Sequence, residues 1–146
     1  MRSLPHDPRK LLAIYLGGVV GALVRVGLAE VASTDPGQWP WATFAANMAG
    51  ALLLGYFYAL FRDRPPESLR HPFLGIGLCG TLTTFSTLQL ELYEMVDGGY
   101  LGLAAAYTAL TIAAGYVFLR LGIALEARRG DFMPVSGNKS PRGRRR

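Results

Sequence analysis

Hydrophobic residues along this chain gather into four long stretches, and turn formers fill the short links between them. The stretches cover about residues 11–32, 40–61, 72–95 and 100–121. Each is close to the ~20 residues that a helix needs to cross ~30 Å of membrane hydrocarbon. The links contain Asp35-Pro36-Gly37, Pro65-Pro66 and Asp97-Gly98-Gly99, all of which favour turns. The pattern predicts an all-α membrane protein with four transmembrane helices, each antiparallel to the next.

Composition agrees with a membrane protein. Hydrophobic residues make up 51% of the 146 residues and charged residues only 17%, whereas about 25% charged is usual for soluble domains. Cys79 is the single cysteine of the sequence, which excludes an intrachain disulfide and a cysteine-based metal cluster. The pattern predicts one helical domain at residues 11–122, between a short N-terminal segment 1–10 and a basic tail 123–146. From about Gly130 the tail is rich in Pro, Gly, Ser and Arg, which predicts disorder.

The basic residues are unevenly distributed. The chain has 15 Lys and Arg residues, and all except Arg25 lie before the first span, in the middle link, or from the end of the fourth span onward. Four spans bring those three regions to one side of the membrane, so the positive-inside rule predicts that both termini are cytoplasmic. The net charge of +5 is therefore explained by this rule, together with contact between the basic tail and anionic membrane lipid. It does not indicate nucleic acid, because no aromatic-basic module accompanies the basic tail.

Arg25, Asn47, Phe85 and Tyr107 come from the four different spans. At a rise of ~1.5 Å per residue, each lies about 10 Å inside the outer face of the membrane. Polar side chains at that depth are costly and usually face a pathway or another helix. The sequence therefore predicts one layer to which all four helices contribute, with residues 80–83 near the middle of the membrane.

The segment from Thr81 to Thr87 is the least helix-like part of the third span. It contains four Thr and one Ser, and Gly77 and Gly80 come just before it. Two interpretations stay open for this segment. The third helix is broken at mid-membrane and exposes carbonyls that can hold a cation, or the helix continues and the hydroxyls bond back to it.

Tyr107, Thr111 and Gly115 recur every four residues in the fourth span and so line one face of that helix. The two hydroxyls can donate to a moving anion, or they can form ordinary hydrogen bonds between helices. The residues by themselves favour the second interpretation.

Three motifs in this order resemble the CrcB/Fluc family of fluoride channels. They are GGVVGA at residues 17–22 followed by Arg25, NMAG at 47–50 with Gly55, and GLCGTLTTFST at 77–87 with Glu91 after it. The resemblance covers nearly all of residues 11–122. It implies a multi-pass protein of the bacterial or archaeal inner (plasma) membrane that passively exports fluoride from the cytoplasm and is not an enzyme. It also implies an antiparallel, dual-topology dimer with two fluoride pores along the subunit interface.

The resemblance assigns roles in fluoride conduction to several residues. Asn47 resembles the pore asparagine of the family. Phe85 resembles the first of two phenylalanines whose ring edges face fluoride. Ser86 and Thr87 follow Phe85 in the same motif and are further candidate pore residues.

Other residues of the resemblance lie on the first, third and fourth spans. Tyr107 and Thr111 resemble a polar track on the fourth helix. Arg25 resembles the arginine of the first helix, which favours anion entry; its alternative role is pairing with an acidic residue, Glu30, or with a carbonyl. Gly80 and Thr83 resemble the residues whose backbone carbonyls hold a structural sodium ion that is not transported.

Two positions depart from the family. The second phenylalanine would stand at position 88, where this chain has Leu88, and Gly115 stands where a hydroxyl residue is often expected. The steep charge bias also disfavours equal insertion in both directions. These observations favour a heterodimer with an oppositely oriented homologue over a homodimer. A non-conducting partner subunit of such a heterodimer is a further alternative.

A small multidrug antiporter also has four short helices and dual topology. Its mechanism requires a carboxylate in the middle of the first span. In this chain the charge there is Arg25, and Glu30 lies near the end of the span. Proton-coupled drug efflux would support this alternative to a fluoride channel.

Overall fold

The computed structural model describes residues 7–31, 37–62 and 68–132, and every regular element in those ranges is helical. The elements are α1 (Pro8–Val31), α2 (Trp41–Phe61), a π-helical segment (His71–Leu78), α3 (Cys79–Leu82), α4 (Phe85–Asp97) and α5 (Leu101–Phe132). The helical stretches long and apolar enough to cross a membrane are Pro8–Val31, Trp41–Phe61, His71–Asp97 and Leu101–Arg128. The prediction of an all-α protein with four spans is confirmed.

The helices differ from the predicted spans mainly at their ends. α1 begins at Pro8 and α5 continues to Phe132, well past residue 121. The first part of the predicted tail is therefore helical, because residues 123–128 (IALEAR) are mostly strong helix formers. The Pro65-Pro66 link and residues 133–146 of the predicted tail lie outside the described residues.

Close backbone packing pairs α1 with the π-helical segment, and α2 with α5. Glycines permit both approaches. A Cβ added at Gly17 would collide with the backbone carbonyl of Phe73, and one added at Gly55 would collide with that of Leu119. Small residues at such positions are typical of membrane helices, whose association depends on tight packing.

Few side chains are buried within the single chain. One buried cluster consists of Met95, Ala104 and Tyr107, where α4 meets α5. Large apolar side chains face outward, for example Leu23 on α1 and Ile112 on α5, which are 66% and 70% exposed. An apolar surface of this extent needs lipid or a second subunit to cover it.

The third span, His71–Asp97, changes its backbone geometry twice. It passes from π-helical to α-helical at Cys79, and its helical backbone is interrupted at Thr83 and Thr84 before α4 begins. Both threonines are extended, with ψ of 149° at Thr83 and 122° at Thr84. Backbone groups at such an interruption need partners from other residues, and the residues that supply them define the candidate site.

Candidate functional site

Asn47 on α2 pairs with both backbone groups of Thr84. The Thr84 N–H donates to Asn47 Oδ1 at 2.9 Å, and Asn47 Nδ2 donates to the Thr84 carbonyl at 3.3 Å. Because a backbone N–H can only donate, this pair fixes which end of the Asn47 amide faces Thr84. An amide nitrogen carries two hydrogens. One N–H of Asn47 therefore remains for a further acceptor.

Hydroxyls just before the interruption bond to backbone carbonyls of their own span and of α1. Thr81 Oγ1 lies 2.8 Å from the Gly18 carbonyl of α1 and 3.0 Å from the Gly77 carbonyl of its own span. Thr83 Oγ1 donates to the Cys79 carbonyl at 3.0 Å. Back-bonding within the third span is therefore present at Thr83, whose own backbone is extended, while the Thr81 hydroxyl also contacts α1.

The first turn of α4 contains the candidate pore residues Ser86 and Thr87. Thr84 caps this helix, because its Oγ1 accepts from the Thr87 N–H at 3.2 Å. The same Oγ1 donates to Thr87 Oγ1 at 3.0 Å and lies 3.3 Å from Ser86 Oγ. Ser86 is exposed, and Thr87 is partly buried. The hydroxyls of these two residues are therefore oriented by the cap of α4.

Arg25 on α1 bonds to the interrupted span. Its Nε donates to the Thr81 carbonyl at 3.2 Å. Of the two partners considered for its alternative role, the observed one is therefore a carbonyl. Arg25 also lines a cavity of about 110 Å³ together with Glu30, Thr43 and Thr87. The guanidinium thus supplies positive charge to a small recess that is lined mainly by apolar groups and also includes the acidic residue Glu30.

A separate cavity of about 250 Å³ joins residues of α2, the third span and α5. Its wall includes Asn47, Phe85, Leu88, Thr111 and Gly115, and we call it the Asn47 cavity. The Phe85 ring is 73% exposed, so this wall continues onto the surface of the chain. The cavity is therefore lined by three of the predicted pore residues (Asn47, Phe85 and Thr111). It is also lined by Leu88 and Gly115, the two positions that depart from the family.

Thr111 on the wall of the Asn47 cavity differs from its neighbour Thr108. Thr108 Oγ1 donates to the Ala104 carbonyl of its own helix at 2.8 Å. The Thr111 hydroxyl is buried and has no hydrogen-bond partner within the described part of the chain. Buried hydroxyls are normally hydrogen-bonded. The Thr111 hydroxyl is therefore free to donate to a ligand in the cavity.

Tyr107 belongs to a second polar group, which we call the Glu91 cluster: Thr43, Glu91 and Tyr107. Tyr107 is fully buried, and its hydroxyl donates to Glu91 Oε2 at 2.8 Å. Thr43 Oγ1 donates to the other carboxylate oxygen, Oε1. The cluster joins α2, α4 and α5, so Tyr107 forms the interhelical hydrogen bond that its sequence position favours.

Two carbonyls at the interruption lose their regular helical donors. In a continuous helix the Gly80 carbonyl accepts from the Thr84 N–H, and the Thr83 carbonyl accepts from the Thr87 N–H. Here those N–H groups donate to Asn47 Oδ1 and to Thr84 Oγ1. Gly80 is also exposed, and a Cβ added there would meet nothing within 4 Å. Carbonyls released in this way are suitable oxygen ligands for a sodium ion.

Sequence reasoning did not single out Thr43 or Thr84 individually. Thr43 stands four residues before Asn47 and so lies on the same face of α2; that spacing could have identified it. Thr84 acts largely through backbone atoms, which residue types do not reveal. Glu91 was noted in a motif, but its two hydroxyl partners come from distant parts of the chain.

Comparison with known proteins gives a consistent result. The family model described as "CrcB-like protein, Camphor Resistance (CrcB)" matches residues 12–123. The chain is 48% identical to "Fluoride-specific ion channel FluC 1" of Mycobacterium bovis over 124 residues, covering 84% of this chain and 94% of the relative. It is 40% identical to "Fluoride-specific ion channel FluC" of Stutzerimonas stutzeri over 123 residues, covering 80% and 96%. These relatives are ion channels rather than enzymes, which confirms the prediction that the chain is not an enzyme.

Proposed function

The chain belongs to the CrcB-like family, and from that membership we propose that it forms a passive channel through which fluoride leaves the cytoplasm. Its cellular role is to lower the concentration of toxic fluoride. The observation that carries the proposal is the Asn47 cavity, where an amide N–H, the unpartnered Thr111 hydroxyl and the Phe85 ring surround one space.

These groups suit fluoride because a small, strongly hydrated anion must exchange its water for other donors. Asn47 and Thr111 offer an N–H and an O–H to the ion. The edge of the Phe85 ring is electropositive and attracts an anion. Arg25 adds positive potential near the same interrupted span, which favours anion entry. The site therefore replaces hydration by several weak donors, which allows the ion to leave again.

We also propose that the carbonyls of Gly80 and Thr83 hold a structural sodium ion at mid-membrane. The loss of their helical donors, described above, supports this assignment. When bound, the ion would neutralise carbonyl dipoles that the interrupted helix leaves exposed; it is not transported. Replacing sodium by a large organic cation should lower the thermal stability of the purified protein, and unchanged stability would contradict the sodium site.

The proposed assembly is an antiparallel dimer with a pore at the subunit interface. Phe85 and Ser86 are exposed on the single chain, and Gly80 has open space around it. A second subunit placed against this surface would close the open wall of the Asn47 cavity and bring two sets of carbonyls together. The distribution of basic residues supports cytoplasmic termini for the favoured orientation.

Fluoride efflux from liposomes that contain the purified chain tests the proposed function. A fluoride-selective electrode should record rapid fluoride efflux once the membrane potential that retains the anion is removed. Chloride should not leave the liposomes. Absence of fluoride efflux from folded protein, with or without an oppositely oriented homologue, would contradict a channel.

The same assay separates the two proposed assemblies. The charge bias, Leu88 and Gly115 favour a heterodimer with an oppositely oriented homologue. Under that proposal the chain alone gives little efflux, and efflux appears when both chains are present. Robust efflux from the lone chain would instead establish a homodimer. Loss of efflux on changing Asn47 in the mixed sample would exclude a non-conducting role for this subunit.

A further inference from the structure

A groove at the end of the molecule that carries the N-terminus of α1 lies outside the fluoride site. It has a volume of about 740 Å³ and lies between the start of α1, the end of α2 and the start of the third span. Its walls are apolar and include Leu12, Leu16 and Phe73. Leu12 and Leu16 are 57% and 47% exposed. The described residues therefore leave a large apolar space open at this end.

Two guanidinium groups border this apolar space. Arg9 in the first turn of α1 and Arg70 just before the π-helical segment both line the groove, and both residues are exposed. The nearby acid Asp7 uses Oδ1 to accept from the backbone N–H of Arg9. This bond caps the start of α1 and uses the backbone of Arg9, so the Arg9 guanidinium takes no part in it.

An apolar groove between spans, with two cations at its rim, is complementary in shape and charge to a ligand that has apolar chains and an anionic group. We propose that the groove binds an anionic phospholipid, with the acyl chains against Leu12, Leu16 and Phe73 and the phosphate held by Arg9 and Arg70. Basic pockets between spans on the cytoplasmic side bind anionic head groups for the same reason. A zwitterionic lipid has the same chains but places a positive group beside the two arginines, so it binds more weakly.

This site is independent of fluoride conduction. Its residues lie on the start of α1, the end of α2 and the start of the third span, whereas the Asn47 cavity is formed by the middle of α2, the interruption and α5. A failure of the lipid experiment would therefore leave the proposed channel unaffected, and the reverse also holds.

Native mass spectrometry of the full chain in detergent tests the proposal, with phosphatidylglycerol and phosphatidylcholine of identical acyl chains as probes. Phosphatidylglycerol should remain bound at lower lipid concentration. The double variant Arg9→Gln/Arg70→Gln should weaken its binding about tenfold or more. The matched control is Arg128→Gln, which removes one positive charge from an exposed position of α5 outside the groove; it should bind like the unmodified chain.

A second variant tests the apolar part of the groove without a change of charge. Leu16→Trp fills the space and should lower binding of both lipids, and thermal unfolding in lipid-free detergent should verify that the variant folds. Equal affinity for the two lipids, or unchanged binding by the double arginine variant, would overturn the proposal. Cross-linking between two Leu12→Cys chains would also overturn it, because a second copy would then cover the groove.

Discussion

Two polar groups one helical turn apart on α2 have opposite surroundings. Thr43 belongs to the Glu91 cluster, in which each carboxylate oxygen accepts a hydrogen bond from a hydroxyl of a neighbouring helix. Asn47 contacts the backbone of Thr84 but borders a cavity and keeps one N–H unused. The first group is closed and holds helices together, whereas the second is open and can receive a ligand.

The difference separates polar groups whose hydrogen bonds are complete within the described residues from polar groups that keep a donor for a ligand. A buried polar group that lacks a partner is costly, so it persists where another molecule supplies the partner for part of the time. Thr108 and Thr111 repeat this contrast on a single helix, because only Thr108 bonds to its own backbone. Breaking each group should therefore have different consequences for flux and for stability.

The largest effect is expected from Asn47→Asp. The carboxylate can still accept from the Thr84 N–H, but it offers no donor and adds a negative charge to the cavity. Because a hydrogen bond to a charged group contributes about 1.5–3 kcal/mol, fluoride efflux from liposomes should fall about 100-fold or more. Thermal unfolding should verify that the variant is folded; efflux at the original rate would refute an ion contact at Asn47.

A smaller loss of flux is expected from Thr111→Val, which keeps the side-chain shape and removes the unpartnered hydroxyl. Efflux should decrease about tenfold, and stability should not decrease, since removal of an unsatisfied buried polar group is neutral or favourable. Thr108→Val is the matched control on the same helix and should change flux little. Equal flux in the two variants would contradict the distinction between these threonines.

Tyr107→Phe should affect stability more than flux. It leaves Glu91 Oε2 without its partner, so the free energy of unfolding should fall by about 1–3 kcal/mol. A double-mutant cycle with Thr43→Val, followed by thermal or denaturant unfolding in detergent, should reveal coupling, because both hydroxyls bind one carboxylate. Strictly additive effects would mean that the Glu91 cluster does not act as a unit.

The smallest effect is expected from Gly115→Ser, which restores a hydroxyl on the wall of the Asn47 cavity. A Cβ at Gly115 would lie 3.8 Å from Met48 Cε, an ordinary contact, so the side chain fits. A further donor at the wall should raise flux about two- to threefold, which corresponds to the lower end, about 0.5 kcal/mol, of the net contribution of a hydrogen bond. Lower flux would contradict this expectation and would indicate that the added side chain makes the cavity too narrow for the ion.

Sequence patterns predicted the four spans because hydrophobic length alone decides whether a helix can cross a membrane. The family resemblance placed Asn47, Phe85 and Thr111 among seven candidate pore residues, and these three line the Asn47 cavity. Sequence patterns could not separate Thr111 from Tyr107, which share a helix face. That distinction depends on the opposing residues, which are Glu91 for Tyr107 and an open cavity for Thr111.

By itself, the sequence determined the number of spans, the distribution of charge and the family, because these follow from local composition and ordered motifs. Only the tertiary structure decided which donors are occupied, which carbonyls are released at Gly80 and Thr83, and where two arginines border an apolar groove. The physical reason is that a hydrogen bond depends on the position of both partners. In this chain the decisive partners are brought together by helix packing across large separations along the sequence.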